Sequence, residues 1–321
     1  MPGHCALLNP QGLSLGFKLP KRMRNSNKAI YTGIGLAVLA AIIWSGNFIV
    51  ARGVIQQIPP VGLAFYRWAT ATIIMLPIAW NKFKAEKALI IKHRTLLFWT
   101  AVTGVTLFNT FVYIAGHYTP AINLALIGTT SSPVFAIILA AIFLKEPIRP
   151  LRIAGLLLCI SGIVLLLSRG SWQALQSFRF SAGDGWILLA ALVFAIYNTL
   201  VRRKPAAIHP LNFLFTVFAI GTLLLLPFYL IELSQATPVQ WTTNLVLIIL
   251  YLGAGTSVIA FLCWNVAIGK LGAARTALFG NLIPVFSTLE AVLILGEKFT
   301  MIHLLSGILV VAGVVIANVK K

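Results

Sequence analysis

Acidic residues are scarce in this chain of 321 residues, which has six Asp and Glu against 25 Lys and Arg. Charged residues of both signs make up only 10% of the sequence, whereas apolar residues make up 59%. The apolar residues form many runs near the roughly 20 residues that cross the core of a bilayer. A soluble protein this apolar would need charged faces on its helices, and this chain does not have them. The composition therefore predicts an all-α polytopic membrane protein.

Two sequence motifs of enzymes are also missing. The chain has no His-Glu-x-x-His pair, which binds catalytic zinc, and no Gly-x-x-x-x-Gly-Lys-Ser/Thr loop, which binds nucleotide phosphates. Its three cysteines, Cys5, Cys159 and Cys263, show neither paired nor metal-ligand spacing. We therefore expect no catalytic residue, no metal, no cofactor and no ATP hydrolysis. An intramembrane enzyme and a non-transporting sensor remain as functions of another class.

The net charge of +19 suggests a nucleic-acid partner, but the position of the basic residues argues against one. They lie in short connections between apolar runs, where the orientation rule of membrane proteins accounts for them. Twenty of the 25 lie at the termini and in one set of alternate connections, four lie in the other set, and Arg67 lies within a run. This asymmetry predicts that both termini are cytoplasmic and that no nucleic acid is bound.

Ten apolar runs are long enough to be transmembrane helices, and prolines mark several of their connections. Residues 1–30, which contain Pro, Gly, Asn and a basic cluster, are expected to be a disordered cytoplasmic N-terminus, and Met23 is an alternative start. Residues 169–183 are expected to be an external linker. No connection is long enough for a soluble domain, so the function must reside in the helix bundle. The ten runs are 31–51, 61–80, 96–116, 121–144, 151–168, 184–201, 211–231, 244–268, 274–296 and 301–319.

The segment 131–147 organises the chain, because it recurs near the other end as 282–298. The repeat predicts two domains, residues 31–168 and 184–321, with five spans in each. Because five is odd, the second repeat enters the membrane from the opposite side, so the repeats are inverted. Inverted repeats are typical of carriers that work by alternating access, although a duplication can also merely enlarge a bundle. Residues that correspond at a shift of 150 or 151 include Trp44 and Phe194, Pro133 and Pro284, and Phe135 and Phe286.

Several segments resemble a known family. They are 44–48 (Trp-Ser-Gly-Asn-Phe), 65–69 (Phe-Tyr-Arg-Trp-Ala) and the two Pro-Val-Phe…Leu-x-Glu segments that end spans four and nine. Together they resemble the EamA-like carriers of the drug/metabolite transporter superfamily, although Phe194 stands where such proteins often have Trp. The resemblance implies ten helices in two five-helix repeats, a bacterial inner-membrane location, and export of amino acids or related small metabolites by a monomer or homodimer. A multidrug exporter or a lipid flippase of the same fold is the alternative.

Polar groups inside an apolar span are costly unless they have a partner, so they are candidates for a substrate site. Asparagine is favoured, because one helix turn cannot satisfy its amide, whereas the Ser and Thr hydroxyls of 129–132 can bond to their own helix. Aromatic residues in these spans form either cavity walls or part of the interfacial belt. The predicted substrate-binding residues are Trp44, Asn47, Asn109, Tyr113, Tyr197, Asn198, Trp264, Asn265 and Asn281.

Arg67 and Glu290 are the charges farthest from a span end, and the predicted orientation gives them a shared depth of roughly 9 Å below the outer face. A buried charge needs a partner or water, so we predict a role in coupling or gating, with protons carried by Glu290 if transport is proton-coupled. A static ion pair, or a glutamate that snorkels to the outer water, is the alternative. Spans four and nine also contain residues that weaken helices, which predicts a hinge unless they serve close packing. These residues are Gly128, Pro133, Gly280 and Pro284.

Overall fold

The computed structural model describes residues 21–54, 57–118, 121–176, 182–235, 238–295 and 300–319, and within these ranges the chain is helical and contains no strand. In the first half the helices are α1 (Lys21–Val54), α2 (Pro60–Lys92), α3 (Arg94–Ala101), α4 (Phe108–Tyr118), α5 (Ala121–Leu144), α6 (Pro150–Leu167) and α7 (Trp172–Gln176). In the second half they are α8 (Ala182–Arg202), α9 (Pro210–Gln235), α10 (Thr243–Leu250), α11 (Ala260–Leu271), α12 (Ala273–Ala277), α13 (Ile283–Leu295) and α14 (Met301–Asn318).

Eight helical stretches of the described chain are long and apolar enough to cross a membrane. Two of them are composite, because a π-helical segment joins α3 to α4 and another joins α10 to α11. A shorter apolar helix, Thr130–Leu144, belongs to α5, and a 3-10 segment, Leu278–Leu282, separates α12 from α13. These findings confirm the prediction of an all-α polytopic membrane protein.

Two boundaries differ most from the sequence prediction. The first helix begins at Lys21, so residues 21–30 are helical rather than disordered, while residues 1–20 lie outside the described chain. The second helix continues through 82–92, which the sequence analysis assigns to a connection. This stretch has no Gly or Pro and is rich in Ala, Lys, Glu and Leu, all of which favour helix. Charge marks where a helix leaves the apolar layer, but it does not end the helix.

Helices α2 and α9 pack in antiparallel directions, and a carboxylate caps each end of the pair. Glu232, near the end of α9, accepts a hydrogen bond from the backbone N–H of Gly62 at the start of α2 (2.6 Å). At the opposite end, Glu86 of α2 accepts from the backbone N–H of His209 (3.1 Å) and from the side-chain amide of Asn212 (2.7 Å). Each carboxylate satisfies donors at a helix N-terminus, where the helix dipole also favours negative charge.

The Glu86 cap also acts on Lys204, which lies in the connection between α8 and α9. The Lys204 ammonium donates to the carbonyl of Ile208 (2.6 Å) and is half-buried. Burial lowers the pKa of Lys204, and the nearby Glu86 carboxylate partly offsets that lowering. The Glu86 carboxylate therefore stabilises the end of the α2–α9 pair that is predicted to face the cytoplasm. It accepts hydrogen bonds from one backbone N–H and one side-chain amide, and it attracts the Lys204 ammonium.

Residues that correspond in the sequence repeat contact each other along α2 and α9. The ring centroids of Trp68 and Phe218, which are 150 residues apart, lie at 4.8 Å. The hydroxyls of Thr72 and Thr222, at the same separation in the sequence, lie 3.1 Å apart. Trp44 of α1 likewise meets its counterpart Phe194 of α8 edge-on at 6.0 Å.

The antiparallel pair of α6 and α14 approaches even more closely. A Cβ on Gly155 would lie 2.7 Å from the backbone nitrogen of Ala317, and one on Gly313 would lie 2.6 Å from the sulfur of Cys159. Both positions therefore require glycine, because real Cβ contacts are longer than this. Cys159 also donates to the carbonyl of Val310, which follows it by 151 residues (3.4 Å).

Both halves contain a π-helical segment at the same place in the repeat. The first is Val102–Leu107 and the second is Tyr251–Ile259. Such segments are rare and occur frequently at functional sites, since the extra residue in the turn shifts the hydrogen-bond ladder and re-aims nearby groups. In the first segment Gly104 lets the ring of Tyr197 lie against the backbone; in the second, the carbonyl of Thr256 accepts side-chain donors from two other helices.

Candidate functional site

A cavity of about 110 Å³ lies at the centre of the bundle, between helices of both halves. Its wall is mainly apolar and aromatic, with Arg67, Asn109 and Ser132 as polar members. A mostly apolar cavity with a few convergent polar groups is the usual form of a small-molecule site. Seven residues singled out from the sequence line it, and they are Trp44, Arg67, Asn109, Gly128, Pro133, Trp264 and Gly280.

Trp44 of α1 forms the aromatic centre of the wall. Its ring lies 4.9 Å from that of Trp264 and 5.5 Å from that of Phe261, measured between centroids. Its indole N–H donates to the carbonyl of Thr256 in the second π-helical segment (2.9 Å). Packing on several sides and one hydrogen bond hold the ring in a single orientation, so Trp44 presents a rigid wall to the cavity.

Arg67 of α2 brings a positive charge into the apolar interior, with only 2% of its surface exposed. Its guanidinium donates to the hydroxyl of Ser257 (2.7 Å), the hydroxyl of Tyr113 (3.1 Å) and the carbonyl of Thr256 (3.5 Å). All three acceptors are neutral. The charge also lies over the ring of Trp68, 5.2 Å from its centroid. Tyr113, predicted from the sequence to contact substrate, thus orients Arg67 instead of lining the cavity.

A layer of paired aromatic and amide side chains lies beside the cavity. The hydroxyl of Tyr197 and the amide nitrogen of Asn265 are 2.6 Å apart, and Asn265 also donates to the carbonyl of Phe261 (2.7 Å). Trp264 donates from its indole to the amide oxygen of Asn198 (2.9 Å). Tyr197, Asn198 and Asn265 do not line the cavity, so they hold its aromatic wall rather than face its interior.

Two of the remaining asparagines differ in position. The side-chain amide nitrogen of Asn109 is buried, has no hydrogen-bond partner, and belongs to a cavity-lining residue. Asn281, in the 3-10 segment, is fully buried beside Cys159 and does not line the cavity. Asn47 lies in α1, but its side chain is outside the described set.

Glu290 of α13 lies against α1 and is not among the residues that line the cavity. One carboxylate oxygen accepts from the hydroxyl of Ser45 (2.6 Å), and the other is buried without a hydrogen-bond partner. The carboxylate lies near the open face of Gly46, where a Cβ would be 3.7 Å from it. In the described chain the recorded ion pair joins Arg152 to Glu146 at 3.8 Å, and none joins Arg67 to Glu290. The alternative of a static Arg67–Glu290 pair is therefore wrong, because each charge has found neutral partners on other helices.

The predicted hinge residues have unequal surroundings. A Cβ on Gly128 would lie 3.1 Å from Ile187, so this glycine serves close packing, whereas Gly280 has nothing within 4 Å. Pro133 lies inside the unbroken helix α5, while Pro284 is the second residue of α13, directly after the 3-10 segment. Proline at such a position removes a donor that has no partner in the helix anyway. Of the two predicted hinge regions, only the one in the second half, at Leu278–Leu282, interrupts its α-helix within the described chain.

Sequence reasoning missed several residues of the site. Ser132 lines the cavity, although the sequence analysis expected the hydroxyls of 129–132 to bond within their own helix. Phe108, Phe194 and Phe261 form much of the aromatic wall. An apolar ring inside an apolar span carries no sequence signal that separates cavity from core. Phe194 is the exception, since its alignment with Trp44 in the repeat could have marked it.

Comparison with known proteins gives a consistent result. The family model described as the EamA-like transporter family matches residues 31–168 and 181–319. A protein of Archaeoglobus fulgidus named as an uncharacterized transporter is 29% identical over 288 residues, covering 89% of this chain and 97% of its own. A probable terminal-alkyne amino-acid exporter of Streptantibioticus cattleyicolor is 26% identical (88% and 91% covered), and a probable amino-acid metabolite efflux pump of Salmonella typhimurium is 24% identical (88% and 93%).

A solved crystal structure shares the fold, with a TM-score of 0.70 at 19% sequence identity, covering 91% of this chain and 96% of the other. Identity this low supports the fold alone. The family match, by contrast, covers both halves of the chain and includes the segments that carry α1, α2, α5 and α13. The chain belongs to the EamA-like transporter family of the drug/metabolite transporter superfamily.

Proposed function

We propose that the chain is a secondary transporter of the inner (plasma) membrane that exports amino acids or related small metabolites by alternating access. The observation that carries this proposal is the central cavity, because Trp44 and Arg67 from the first half and Phe194 and Trp264 from the second half line it together. A site between two halves can open to either side when the halves rock. The names of two relatives, a probable terminal-alkyne amino-acid exporter and a probable amino-acid metabolite efflux pump, favour this substrate class.

The architecture in this proposal is ten transmembrane helices in two inverted five-helix repeats, residues 31–168 and 184–321, with both termini cytoplasmic. Three contacts between counterpart residues support it: Trp68 with Phe218, Thr72 with Thr222, and Cys159 with Val310. A residue can touch its own counterpart only close to a symmetry axis. Since α2 and α9 run antiparallel, as do α6 and α14, these contacts support an axis that is perpendicular to the helices and thus parallel to the membrane.

The transport experiment uses the purified protein in liposomes. Vesicles preloaded with unlabelled L-phenylalanine or L-leucine are diluted into the labelled amino acid, and counterflow is followed against protein-free vesicles. We expect saturable accumulation of label that unlabelled substrate abolishes. Movement of a fluorescent phospholipid between leaflets in the same vesicles, without counterflow, would instead favour the flippase. If neither solute nor lipid moves, the transport proposal is refuted, and an enzyme or a sensor is favoured instead.

Proton coupling through Glu290 is part of the proposal. Its carboxylate keeps one oxygen without a hydrogen-bond partner, and a proton on that oxygen would remove the buried charge. Glu290→Gln imitates the protonated form, so we expect counterflow to persist while uptake driven by a pH gradient is lost. Glu232→Gln is the matched control, because Glu232 caps α2 and lies outside the cavity lining. Equal responses of parent and Glu290→Gln to the pH gradient would remove Glu290 from coupling.

A further inference from the structure

We propose that Arg67 binds the carboxylate of the substrate, and that the cavity therefore takes monocarboxylates with an apolar or aromatic body rather than cationic amines. This inference rests on the proposed transport function and specifies the substrate class for the same cavity.

Within the described chain no carboxylate forms an ion pair with Arg67. Its acceptors are two hydroxyls and one carbonyl, on Ser257, Tyr113 and Thr256. A guanidinium has five N–H donors, and these three bonds leave donors free for a further acceptor. A buried charge with neutral partners only is costly, and an anion in contact with it relieves that cost. The cavity, which Arg67 lines, is the place from which such an anion can reach it.

The contacts of Arg67 also hold it ready for a planar anion. Ser257 bonds its Nε and Tyr113 bonds one terminal nitrogen, so the orientation of the guanidinium plane is set before substrate arrives. A carboxylate is the group that matches this fork geometry with two parallel hydrogen bonds. Since the donor is already oriented, little side-chain freedom is lost on binding.

The rest of the wall selects against positive charge. The described lining residues include no Asp or Glu, and the lining amide of Asn109 offers another donor without a partner. An ammonium group would meet aromatic residues such as Trp44, Phe194 and Trp264 but no carboxylate, and the positive charge of Arg67 would repel it. The same aromatic residues suit an aromatic or aliphatic side chain of the solute. The carboxylate therefore contributes more to binding than the amine, and a solute without the amine should still bind.

Three probes of one shape separate these contributions: L-phenylalanine has both charges, 3-phenylpropionate has only the carboxylate, and L-phenylalaninamide has only the amine. They are tested as inhibitors of labelled L-phenylalanine counterflow and as stabilisers of the purified protein against thermal unfolding in detergent. We expect the two carboxylates to act at similar concentrations and the amide to require at least about tenfold more. An amide that acts as well as the carboxylates would overturn the proposal.

Substitutions test whether Arg67 is the residue that causes the preference for carboxylates. We expect Arg67→Gln to weaken both carboxylates roughly tenfold to hundredfold and to leave binding of the amide equal or stronger, because the variant no longer repels a cation, whereas Arg67→Lys keeps a partial preference. Arg152→Gln is the matched control, because it removes a buried arginine that is paired with Glu146 outside the cavity lining. If Arg67→Gln does not fold, the probe selectivity of the parent and of Arg67→Lys decides. A full carboxylate preference retained in Arg67→Gln would refute the assignment.

The two readouts distinguish failure of this inference from failure of transport. Counterflow without carboxylate preference refutes the inference and leaves the transporter intact. Stabilisation by 3-phenylpropionate and L-phenylalanine that depends on Arg67, without counterflow, supports the inference and refutes transport. Neither counterflow nor stabilisation by any of the three probes refutes both.

Discussion

Gly104→Ala should destabilise the protein, although the same change in most helices is stabilising. Gly104 lies in the first π-helical segment, and a Cβ there would be 2.8 Å from Cγ of Tyr197 and closer still to two other ring carbons. Moving the Tyr197 ring aside costs free energy, because the ring is fully buried and stacks on Phe194 with 5.7 Å between the centroids. Its hydroxyl is also tied to Asn265.

The magnitude follows from three contributions. Alanine gains about 1 kcal/mol of helix propensity over glycine. Forcing a methyl group into a packed interior costs about 1–3 kcal/mol. Moving the Tyr197 ring breaks its bond to Asn265 and leaves a buried polar group unsatisfied, which costs about 1–3 kcal/mol more. The net loss is therefore about 1–5 kcal/mol of unfolding free energy.

The assay is unfolding of the purified protein by SDS in mixed micelles, followed by tryptophan fluorescence. Gly185→Ala is the control, because a Cβ at Gly185 meets nothing within 4 Å and only the propensity gain remains. We expect the Gly104 variant to unfold at lower SDS than the parent and the Gly185 variant at equal or higher SDS. If Gly104→Ala were as stable as the parent, the ring would be free to move, and the account of a rigid aromatic layer would be wrong.

Two further changes test contacts between helices, one beside the cavity and one at the end of the α2–α9 pair. Trp44→Phe keeps an aromatic ring but removes the donor to the carbonyl of Thr256. We expect a loss of about 0.5–1.5 kcal/mol of unfolding free energy in the same assay, and weaker counterflow. Unchanged stability would contradict the conclusion that this hydrogen bond fixes the Trp44 ring. Glu86→Gln removes the charged acceptor at the start of α9, for an expected loss of about 1.5–3 kcal/mol. Because Glu86 raises the pKa of Lys204, its removal lowers that pKa further. The loss should thus be larger at pH 7, where the lysine is charged, than near pH 11, where it is mostly neutral in both states. Glu232→Gln should show a smaller difference between the two pH values, because the described residues that donate to Glu232 are the backbone N–H groups of Val61 and Gly62.

Much of the site could be anticipated from local sequence, and some of it could not. Trp44, Asn109 and Trp264 are predicted site residues because they are polar or amphipathic residues within apolar spans, and all three line the cavity. Tyr197 and Asn265 are predicted for the same reason, yet they form hydrogen bonds with each other. Sequence shows that a buried polar group needs a partner, but it does not show whether that partner is a solute or a neighbouring helix.

The charges illustrate the same limit. Their rarity within spans marks Arg67 and Glu290 in the sequence as coupling or gating candidates, with a static ion pair as one alternative. Instead, Ser45 serves Glu290 while Ser257 and Tyr113 serve Arg67. Which hydroxyl lies within reach depends on the crossing of helices that are far apart in the chain, so no local pattern could reveal it.

The segments 44–48, 65–69 and the two Pro-Val-Phe…Leu-x-Glu segments indicated the EamA-like family by resemblance. Composition and apolar run length determined that this chain is a helical membrane protein. They suffice because lipid leaves the backbone no partner outside its own helix, so an apolar run of sufficient length must be a helix. Only the tertiary structure decided that α2 meets α9 and α6 meets α14, that two π-helical segments re-aim groups beside the cavity, and that Arg67 reaches the cavity with neutral partners alone. Those features depend on how helices approach one another, where ångström-scale fits between side chains on different helices set the outcome.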